Sequence, residues 1–396
     1  MAQTQRINAA YVYTLEGEGI IRNGYVEYDP SDGRIVKTGQ CSQTDQILNV
    51  ALVPGFVNSH CHSELSHLQG KFYKGSGMAG FIDQINALRD WAGNDVKAAL
   101  VSKWMDKMWN DGVSAMADIS NDESSFKVKA RHKMYTRTFL EVFGTEPEQC
   151  PKVMEDVRKL NELADAEGID AAPTPHSCYT MSPELLSASA CAGMEKGFLS
   201  YHSQESQQEE DLIRKGTGEM YRNRKQAGMS IPPVTGGSSL EYFIETLGRV
   251  APAPYKANVL LVHNVCLTQS DIDAAKKAFE HVFFALCPLS NIFIHNTLPP
   301  VELMWKNGLD ITVGTDSLSS NDDLDIISEL ACLHENFPSI PMVEIFRWAS
   351  LNGARFLKKD DSLGSFAEGK RPGIVIVDGI TEDGCITSSS RSKRLI

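Results

Sequence analysis

Residues Leu52–Leu65, which read LVPGFVNSHCHSEL, join an apolar run to a His-x-His pair formed by His60 and His62. In an extended strand, alternate residues point to the same face, so both imidazoles would project from one side, about 7 Å apart at their Cα atoms. Two neutral imidazoles in that arrangement supply half of a typical zinc or iron site. The pair alone is more compatible with two neighbouring histidines that bind nothing, and it is the residues downstream that favour a ligand pair.

The composition of the 396-residue chain is that of an ordinary globular protein, with 42% hydrophobic and 22% charged residues. A net charge of −13 argues against nucleic acid as a partner, because phosphate binding requires a basic surface. The sequence contains neither a run of about 18 apolar residues nor the apolar segment of a signal peptide, so we expect no membrane span and no secretion. Nine scattered cysteines without a C-x-x-C pair favour free thiols in the cytoplasm.

Eight short apolar runs alternate with segments of helical periodicity across residues 52–363, a pattern typical of parallel strands joined by crossover helices. The predicted strands are Pro54–His60, Val113–Ile119, Thr136–Phe143, Ala171–His176, Leu199–His202, Val259–His263, Val282–Cys287 and Ile311–Thr315. Eight successive units favour an α/β fold of the closed (β/α)8 TIM-barrel type, with an open doubly wound sheet as the alternative.

The two ends of the chain form a different pattern. Residues 1–51 and residues 364–396 contain short strand-like segments, with a strong turn signal at Asp29–Gly33. Neither end contains enough strands to form a stable sheet alone. We therefore predict one small β-sandwich domain built from both ends, beside a barrel domain of residues 52–363.

Polar side chains lie where five of the predicted strands end. These residues are His60 and His62 at strand 1, His176 at strand 4, His202 at strand 5, His263 at strand 6 and Asp316 after strand 8. Catalytic groups of (β/α)8 barrels lie at the carboxyl ends of the strands. Because five of the ten histidines in the chain fall at such ends, the sequence predicts a metal-dependent active site there.

Five motifs resemble those of the amidohydrolase superfamily, whose members are metal-dependent hydrolases on a (β/α)8 barrel. They are PGFVNSHCH (Pro54–His62), HSQE (His202–Glu205), VHN (Val262–Asn264), CPLSN (Cys287–Asn291) and GTDS (Gly314–Ser317). The combination is similar to the branch of deaminases and triazine chlorohydrolases. Within that branch, the run Thr315–Asn321 looks most like that of aminodeoxyfutalosine deaminases.

The resemblance implies a ligand set for one divalent metal ion, His60, His62, His202 and Asp316. Three imidazoles and one carboxylate suit Zn²⁺ best, and Fe²⁺ nearly as well. Predicted strands 3 and 4 lack the lysine with which other members bridge two ions, so we expect one ion. The resemblance further implies that Glu205 transfers protons, that His263 polarises the attack and that Asp316 receives a proton from water.

The substrate contacts are predicted from single residues, which are less specific than the motifs above. The candidates are His176, Ser317, Glu64 and Arg137. His176 matches a substrate-contacting histidine of the superfamily, Ser317 would orient Asp316, and Arg137 shares a face of strand 3 with Glu141. Two glycine-containing segments, Leu65–Phe81 and Ser206–Gly237, are predicted to be loops that cover the site.

Together these features predict a hydrolytic deaminase that acts on an aminated purine-like ring or a nucleoside of the adenosine or aminodeoxyfutalosine type. Metal-activated hydroxide would attack the amine-bearing carbon, and ammonia would leave. One alternative is a hydrolase of another C–N or C–Cl bond, in an amide, a cyclic amide or a halogenated triazine. The other is a non-catalytic barrel that serves as a scaffold. The predicted partner is a small-molecule substrate, with no nucleic acid and no membrane, and a homodimer is left open.

Overall fold

The computed structural model describes residues 4–396, so residues 1–3 of the predicted amino-terminal domain lie outside the described residues. The strands are β1 (Gln5–Val12), β2 (Ile21–Tyr28), β3 (Ile35–Gln40), β4 (Leu48–Pro54), β5 (Phe56–Cys61), β6 (Val113–Ser120), β7 (Tyr135–Val142), β8 (Asp170–Pro175), β9 (Phe198–Ser203), β10 (Tyr255–His263), β11 (Phe279–Leu286), β12 (Asp310–Val313), β13 (Ile374–Asp378) and β14 (Arg391–Arg394).

The α-helices are α1 (Gly77–Leu88), α2 (Asn94–Asn110), α3 (Phe126–Arg131), α4 (Cys150–Ala166), α5 (Pro183–Glu195), α6 (Gln207–Lys215), α7 (Gly218–Gln226), α8 (Ser239–Gly248), α9 (Gln269–Ala278), α10 (Pro288–His295), α11 (Val301–Lys306), α12 (Ile326–Asn336), α13 (Met342–Arg347) and α14 (Gly353–Phe356). Short 3₁₀ segments cover Ser63–Leu68 and Pro147–Gln149, and a π-helical turn covers Trp348–Asn352.

Strands β5 to β12 form two four-stranded parallel sheets, ordered β5-β6-β7-β8 and β12-β11-β10-β9. Each of the eight predicted apolar runs overlaps one of these strands, which confirms the mixed α/β fold with parallel sheets. Strands β10 and β11 begin earlier than the sequence predicts, because Tyr255 already pairs with Phe279. Helices lie between successive strands and bury apolar side chains such as Leu185 and Leu186 of α5.

Backbone hydrogen bonds link the outer strands of the two parallel sheets on both sides. Beside β8 and β9, the N–H of His202 donates to the carbonyl of His176 at 2.9 Å. Beside β12 and β5, the N–H groups of Thr315 and Asp316 donate to the carbonyl of His60, each at 3.1 Å. The strand ends that carry the predicted site residues are therefore hydrogen-bonded to one another.

A separate six-stranded sheet, ordered β14-β13-β4-β1-β2-β3, combines strands from both ends of the chain. Strand β13 runs antiparallel to β4 and places Ile376 opposite Leu52. One apolar cluster joins residues of both ends, Ala9, Val12, Val26, Tyr28, Ile35, Leu52, Phe366 and Ile374. The two ends thus contribute to one sheet, as the sequence predicts, whereas the second layer of a sandwich stays a prediction.

The two segments predicted as covering loops contain helices, which corrects that prediction. Leu65–Phe81 includes part of a 3₁₀ segment and the start of α1, and Ser206–Gly237 includes α6 and α7. Ser206 caps α6, because its hydroxyl accepts a hydrogen bond from the N–H of Glu209 at 3.1 Å. Gly216 ends the same helix in the left-handed conformation, with φ at 61°. Gly77, the first residue of α1, and Gly216, the C-cap of α6, therefore lie at helix boundaries.

All nine cysteines lie within the described part of the chain, and each is a free thiol. Over residues 4–396, none of the helices has the length and apolar composition needed to cross a bilayer.

Replacing Ile374 by alanine should destabilise the sheet built from both ends. Ile374 is fully buried, and truncation of a buried isoleucine to alanine typically lowers the free energy of unfolding by about 2–5 kcal/mol. Hydrogen exchange followed by mass spectrometry should show faster amide exchange in β1 and β4 as well as in β13. Lys393→Ala, at an exposed position of β14, is the control. Unchanged exchange in β1 would contradict a sheet that unfolds as one unit.

Candidate metal centre and active site

The carboxyl ends of β5, β9 and β12 bring the predicted ligands to one buried place. His60 lies on β5 and His62 directly follows that strand, while His202 lies on β9 and Asp316 follows β12. These four side chains are between 1% and 7% exposed. The alternation of side chains along a strand explains why His60 and His62 point the same way, while Cys61 between them packs in the apolar core.

The donor atoms have the spacing that a four-coordinate ion requires. His62 Nε2 lies 3.2 Å from His60 Nε2 and 3.4 Å from His202 Nε2. Asp316 Oδ1 lies 3.7 Å from Nε2 of both His60 and His62. Tetrahedral ligands at the usual zinc distances of about 2.0–2.2 Å are themselves about 3.3–3.6 Å apart. His60, His62 and Asp316 are therefore close enough together to hold one divalent ion, and His202 lies next to His62.

Burial favours the neutral form of these imidazoles, which is the form that binds metals. It lowers the pKa values of His60 and His62 well below the usual value, and the neighbouring imidazoles lower them further. His202 Nδ1 lies 3.2 Å from the carbonyl oxygen of His176. The ring proton of His202 is therefore assigned to Nδ1, and the lone pair of Nε2 points to the site. Lone pairs that face one another repel, and a bound cation would relieve that repulsion.

Two serine hydroxyls orient the Asp316 carboxylate. Asp316 Oδ2 accepts hydrogen bonds from Ser290 Oγ at 2.6 Å and from Ser320 Oγ at 2.8 Å, which leaves Oδ1 facing the histidines. Burial alone would raise the pKa of Asp316. The imidazoles of His263 and His60, together with the Ser290 hydroxyl, outweigh burial and hold this pKa below its usual value. Asp316 is therefore an ionised ligand candidate.

Glu205 and His263 lie beside these donors. Glu205 Oε1 is 3.4 Å from His263 Nε2, and Glu205 Oε2 accepts a hydrogen bond from the Tyr179 hydroxyl at 2.8 Å. Burial raises the pKa of Glu205 well above its usual range and lowers the pKa of His263 to about 3. Asn291 Nδ2 lies 3.1 Å from His263 Nδ1, so the ring proton is assigned to Nε2. His263 is thus a neutral hydrogen-bond donor next to a carboxyl group whose pKa is raised by burial.

The site opens into a cavity of about 140 Å³ between the strand ends and α1. The α1 side is apolar and includes Met78, Phe81, Ile82 and Ile85. The other side carries the imidazoles and carboxyl groups described above. A cavity with apolar walls and a few polar groups at defined positions is typical of small-molecule binding sites.

Two of the predicted substrate-binding residues line this cavity, His176 and Ser317. The His176 ring stacks on that of His202 with 4.4 Å between centroids, and its Nδ1 lies 2.8 Å from Ser177 Oγ. The prediction that Ser317 orients Asp316 is wrong, because Ser317 Oγ hydrogen-bonds Ser319 Oγ instead. A substrate contact remains the role that the position of Ser317 allows.

The other two candidates, Glu64 and Arg137, do not reach the cavity. Glu64 lies behind Asn121, whose backbone N–H donates to Glu64 Oε2 at 2.8 Å. Arg137 pairs with Asp170 near the amino ends of β7 and β8, far from the carboxyl ends that carry the ligands. The prediction that Glu64 and Arg137 bind substrate is therefore corrected. Glu64 supports Asn121 through a hydrogen bond, and Arg137 has a structural role in its ion pair with Asp170. Alternation along a strand predicts the face of a side chain but not the end at which it acts.

The structure places Glu141, which the sequence offered beside Arg137 as a possible substrate contact, at the cavity, and it adds Arg89 and Asn121, which the sequence did not single out. Glu141, on the same face of β7 as Arg137 but at its carboxyl end, lines the cavity together with Asn121 and Arg89. Arg89 Nη2 donates to Asn121 Oδ1 at 3.0 Å, and Asn121 Nδ2 lies 3.3 Å from Glu141 Oε2. The strand position of Glu141 was a usable signal, whereas Arg89 and Asn121 lie in connecting segments without a motif.

Residues 51–393 match the amidohydrolase family. The chain is 25% identical to 5-methylthioadenosine/S-adenosylhomocysteine deaminase of Halobacterium salinarum over 347 residues, which are 83% of this chain and 72% of that protein. It is 24% identical to 5'-deoxyadenosine deaminase of Methanosarcina acetivorans over 403 residues, which cover 94% of this chain and 84% of that protein.

Among solved structures, Helicobacter pylori aminofutalosine deaminase in complex with methylthio-coformycin superposes with a TM-score of 0.76 at 19% identity. The superposition covers 99% of this chain and 100% of that chain, so the two proteins share a fold. The family match spans most of the sequence and includes the strand ends that carry the clustered histidines. On these grounds, this chain belongs to the amidohydrolase family.

Proposed function

We propose that this chain is a metal-dependent aminohydrolase that removes the amino group from a purine-like ring, in a nucleoside of the adenosine class, and releases ammonia. The observation that carries the proposal is the position of Glu205, a buried carboxyl group of raised pKa, 3.4 Å from His263, which itself lies in a group of possible metal donors with His60 and His202. The relatives that are named as deaminases of 5'-substituted adenosines support the same reaction class.

The ligands proposed for one divalent ion are His60, His62, His202 and Asp316. An ion bound there would supply an activated water nucleophile at neutral pH. Strands β7 and β8 contain no lysine that could bridge a second ion, which supports one ion rather than two. Zinc suits three imidazoles and a carboxylate best, with Fe²⁺ as the second choice.

The proton transfers are assigned to residues of the chain. Glu205 accepts one proton from the attacking water and gives it to a ring nitrogen. His263, whose Nε2 carries the ring proton, donates a hydrogen bond to the oxygen on which negative charge develops. Asp316, held by two serine hydroxyls through Oδ2, can take the second proton of that water on Oδ1 and pass it to the leaving amine. Water replaces the amine on the ring, and ammonia is the second product.

The proposal includes the architecture expected for this family. We infer that the two parallel sheets form one closed (β/α)8 barrel of residues 52–363, and that residues 1–51 and 364–396 form a small β-sandwich domain. The hydrogen bonds on both sides between the two parallel sheets support closure, and the mixed sheet supports a shared terminal domain.

The predicted location and partners belong to the proposal as well. Nine free cysteines support a reducing compartment such as the cytoplasm. A cavity of about 140 Å³ with an apolar wall supports a small-molecule substrate. A homodimer stays a prediction, and sedimentation of the purified protein would test it.

Ammonia release from a panel of substrates tests the proposed reaction. The panel contains adenosine, 5'-deoxyadenosine, adenine, guanine, cytidine, a simple amide and a chlorinated triazine. We expect the metal-loaded protein to release ammonia from the adenosine derivatives with the highest kcat/KM. Chloride release from the triazine, or amide hydrolysis without deamination, would assign the site to another bond. No turnover of any compound by metal-loaded protein would contradict an enzyme of this class.

Removing single ligand candidates should remove the metal while the fold persists. His60→Ala and Asp316→Ala each delete one donor of the group His60, His62 and Asp316. We expect metal content, measured by plasma mass spectrometry after dialysis, to fall to a small fraction of the wild-type value, together with the activity. His281→Ala, at an exposed position on β11, is the control with full metal content. Full occupancy in both site variants would disprove this ligand set.

Glu205→Gln should separate metal binding from proton transfer. The amide keeps the shape of the side chain but cannot shuttle a proton, so kcat should fall by about 10²–10⁴-fold. Metal content should equal that of the wild type, because Glu205 is not one of the proposed ligands. Glu245→Gln, an exposed substitution of the same type, should change neither quantity. Wild-type turnover by Glu205→Gln would show that Glu205 does not transfer the proton.

A further inference from the structure

Tyr179 occupies a fixed position between the cavity and Glu205. It lies in the turn after β8, lines the cavity and is 4% exposed. Its ring meets the ring of His176 edge-on, with 5.7 Å between centroids and 89° between planes. Its main-chain carbonyl accepts a hydrogen bond from Arg224 Nη2. Because the ring and the backbone are both held, the hydroxyl has one defined place.

The Tyr179 hydroxyl gives the two oxygens of the Glu205 carboxyl group different surroundings. Tyr179 donates to Glu205 Oε2 at 2.8 Å, while Glu205 Oε1 lies 3.4 Å from His263 Nε2. The backbone N–H of Glu205 donates to Glu209 Oε2 at 2.8 Å, so the main chain at this residue is anchored as well. One carboxyl oxygen is therefore occupied by a protein donor, and the other faces His263.

We propose that Tyr179 is a positioning residue that reserves Oε1 of Glu205 for proton transfer. This inference rests on the proposed function of the site. A phenol can donate to Oε2 whether or not Oε1 carries a proton, so the contact persists when Oε1 takes the proton from water and when Oε1 returns it to the substrate. Without the hydroxyl, the carboxyl group could rotate and present either oxygen, and part of the alignment that speeds the transfer would be lost.

A purely structural role for the hydroxyl makes different predictions. Buried carboxyl oxygens require a hydrogen-bond donor, and loss of that donor alone would lower stability. With a purely structural role, removing the Tyr179 hydroxyl would lower turnover by the same factor whether or not the Glu205 carboxyl group is present. The two roles are therefore distinguished by measuring how much kcat falls on removal of the Tyr179 hydroxyl, once with the Glu205 carboxyl group present and once without it.

Tyr179→Phe in the metal-loaded full-length protein is the first test. It keeps the ring packed on His176 and removes only the hydroxyl. We expect kcat for the best adenosine derivative to fall by about 10–100-fold, less than the fall of about 10²–10⁴-fold expected for loss of the acid–base group itself, while KM changes by less than about threefold. Metal content should stay at the wild-type value. Tyr242→Phe is the matched control, because the Tyr242 hydroxyl is buried without a hydrogen-bond partner on α8.

A double-mutant cycle with Glu205→Gln completes the experiment. If Tyr179 acts through Glu205, the variant Tyr179→Phe/Glu205→Gln should be no more than about twofold slower than Glu205→Gln alone. Multiplicative losses in the double variant, a wild-type kcat in Tyr179→Phe or a loss of metal from it would each overturn the positioning role. Absence of ammonia release by the wild-type protein would instead overturn the proposed function, and this inference with it.

Discussion

The backbone hydrogen bonds between the end of β5 and the segment that follows β12 determine the geometry of the whole site. The carbonyl of His60 accepts hydrogen bonds from the N–H groups of Thr315 and Asp316, each at 3.1 Å. Asn58 strengthens this contact, because its Nδ2 donates to Thr315 Oγ1 at 2.8 Å. Gly314 makes the approach feasible, since a Cβ atom there would lie 2.6 Å from the same carbonyl oxygen. The two ligand candidates farthest apart in sequence are therefore the most directly connected through the backbone.

Burial then acts in opposite directions on the two kinds of titratable group. It disfavours charge, so it lowers the pKa values of the clustered imidazoles and raises that of Glu205. Asp316 escapes the same effect, because serine hydroxyls and imidazoles around it stabilise its charged form. One buried pocket thus contains neutral donors, an ionised ligand candidate and a carboxyl group that can hold a proton. This division of charge states is what hydrolysis with proton transfer requires.

Features that depend on local sequence were predictable, and features that depend on contacts between distant segments were not. Apolar periodicity located all eight strands, and the residue types at their ends indicated the donor cluster, because both signals are local. Arg137 was misplaced because the prediction followed the alternation of side chains alone, although Arg137 lies near the amino end of predicted strand 3 and the site lies at the carboxyl ends. Ser290 lies in the CPLSN motif, but the motif alone does not show that its hydroxyl bonds Asp316, because that contact joins α10 to the segment after β12. Similarly, the glycines of Leu65–Phe81 suggested a loop, although α1 packs its apolar side over the cavity.

Anomalous X-ray diffraction at the absorption edge of the bound metal tests whether a single ion binds at the proposed ligands. We expect one strong peak per chain, at about 2.0–2.3 Å from Nε2 of His60, His62 and His202 and from Oδ1 of Asp316. The Glu205 carboxyl group should lie beside this peak without coordinating it. A second peak bound through Glu141, or a metal held elsewhere in the chain, would contradict a single-ion site at these residues.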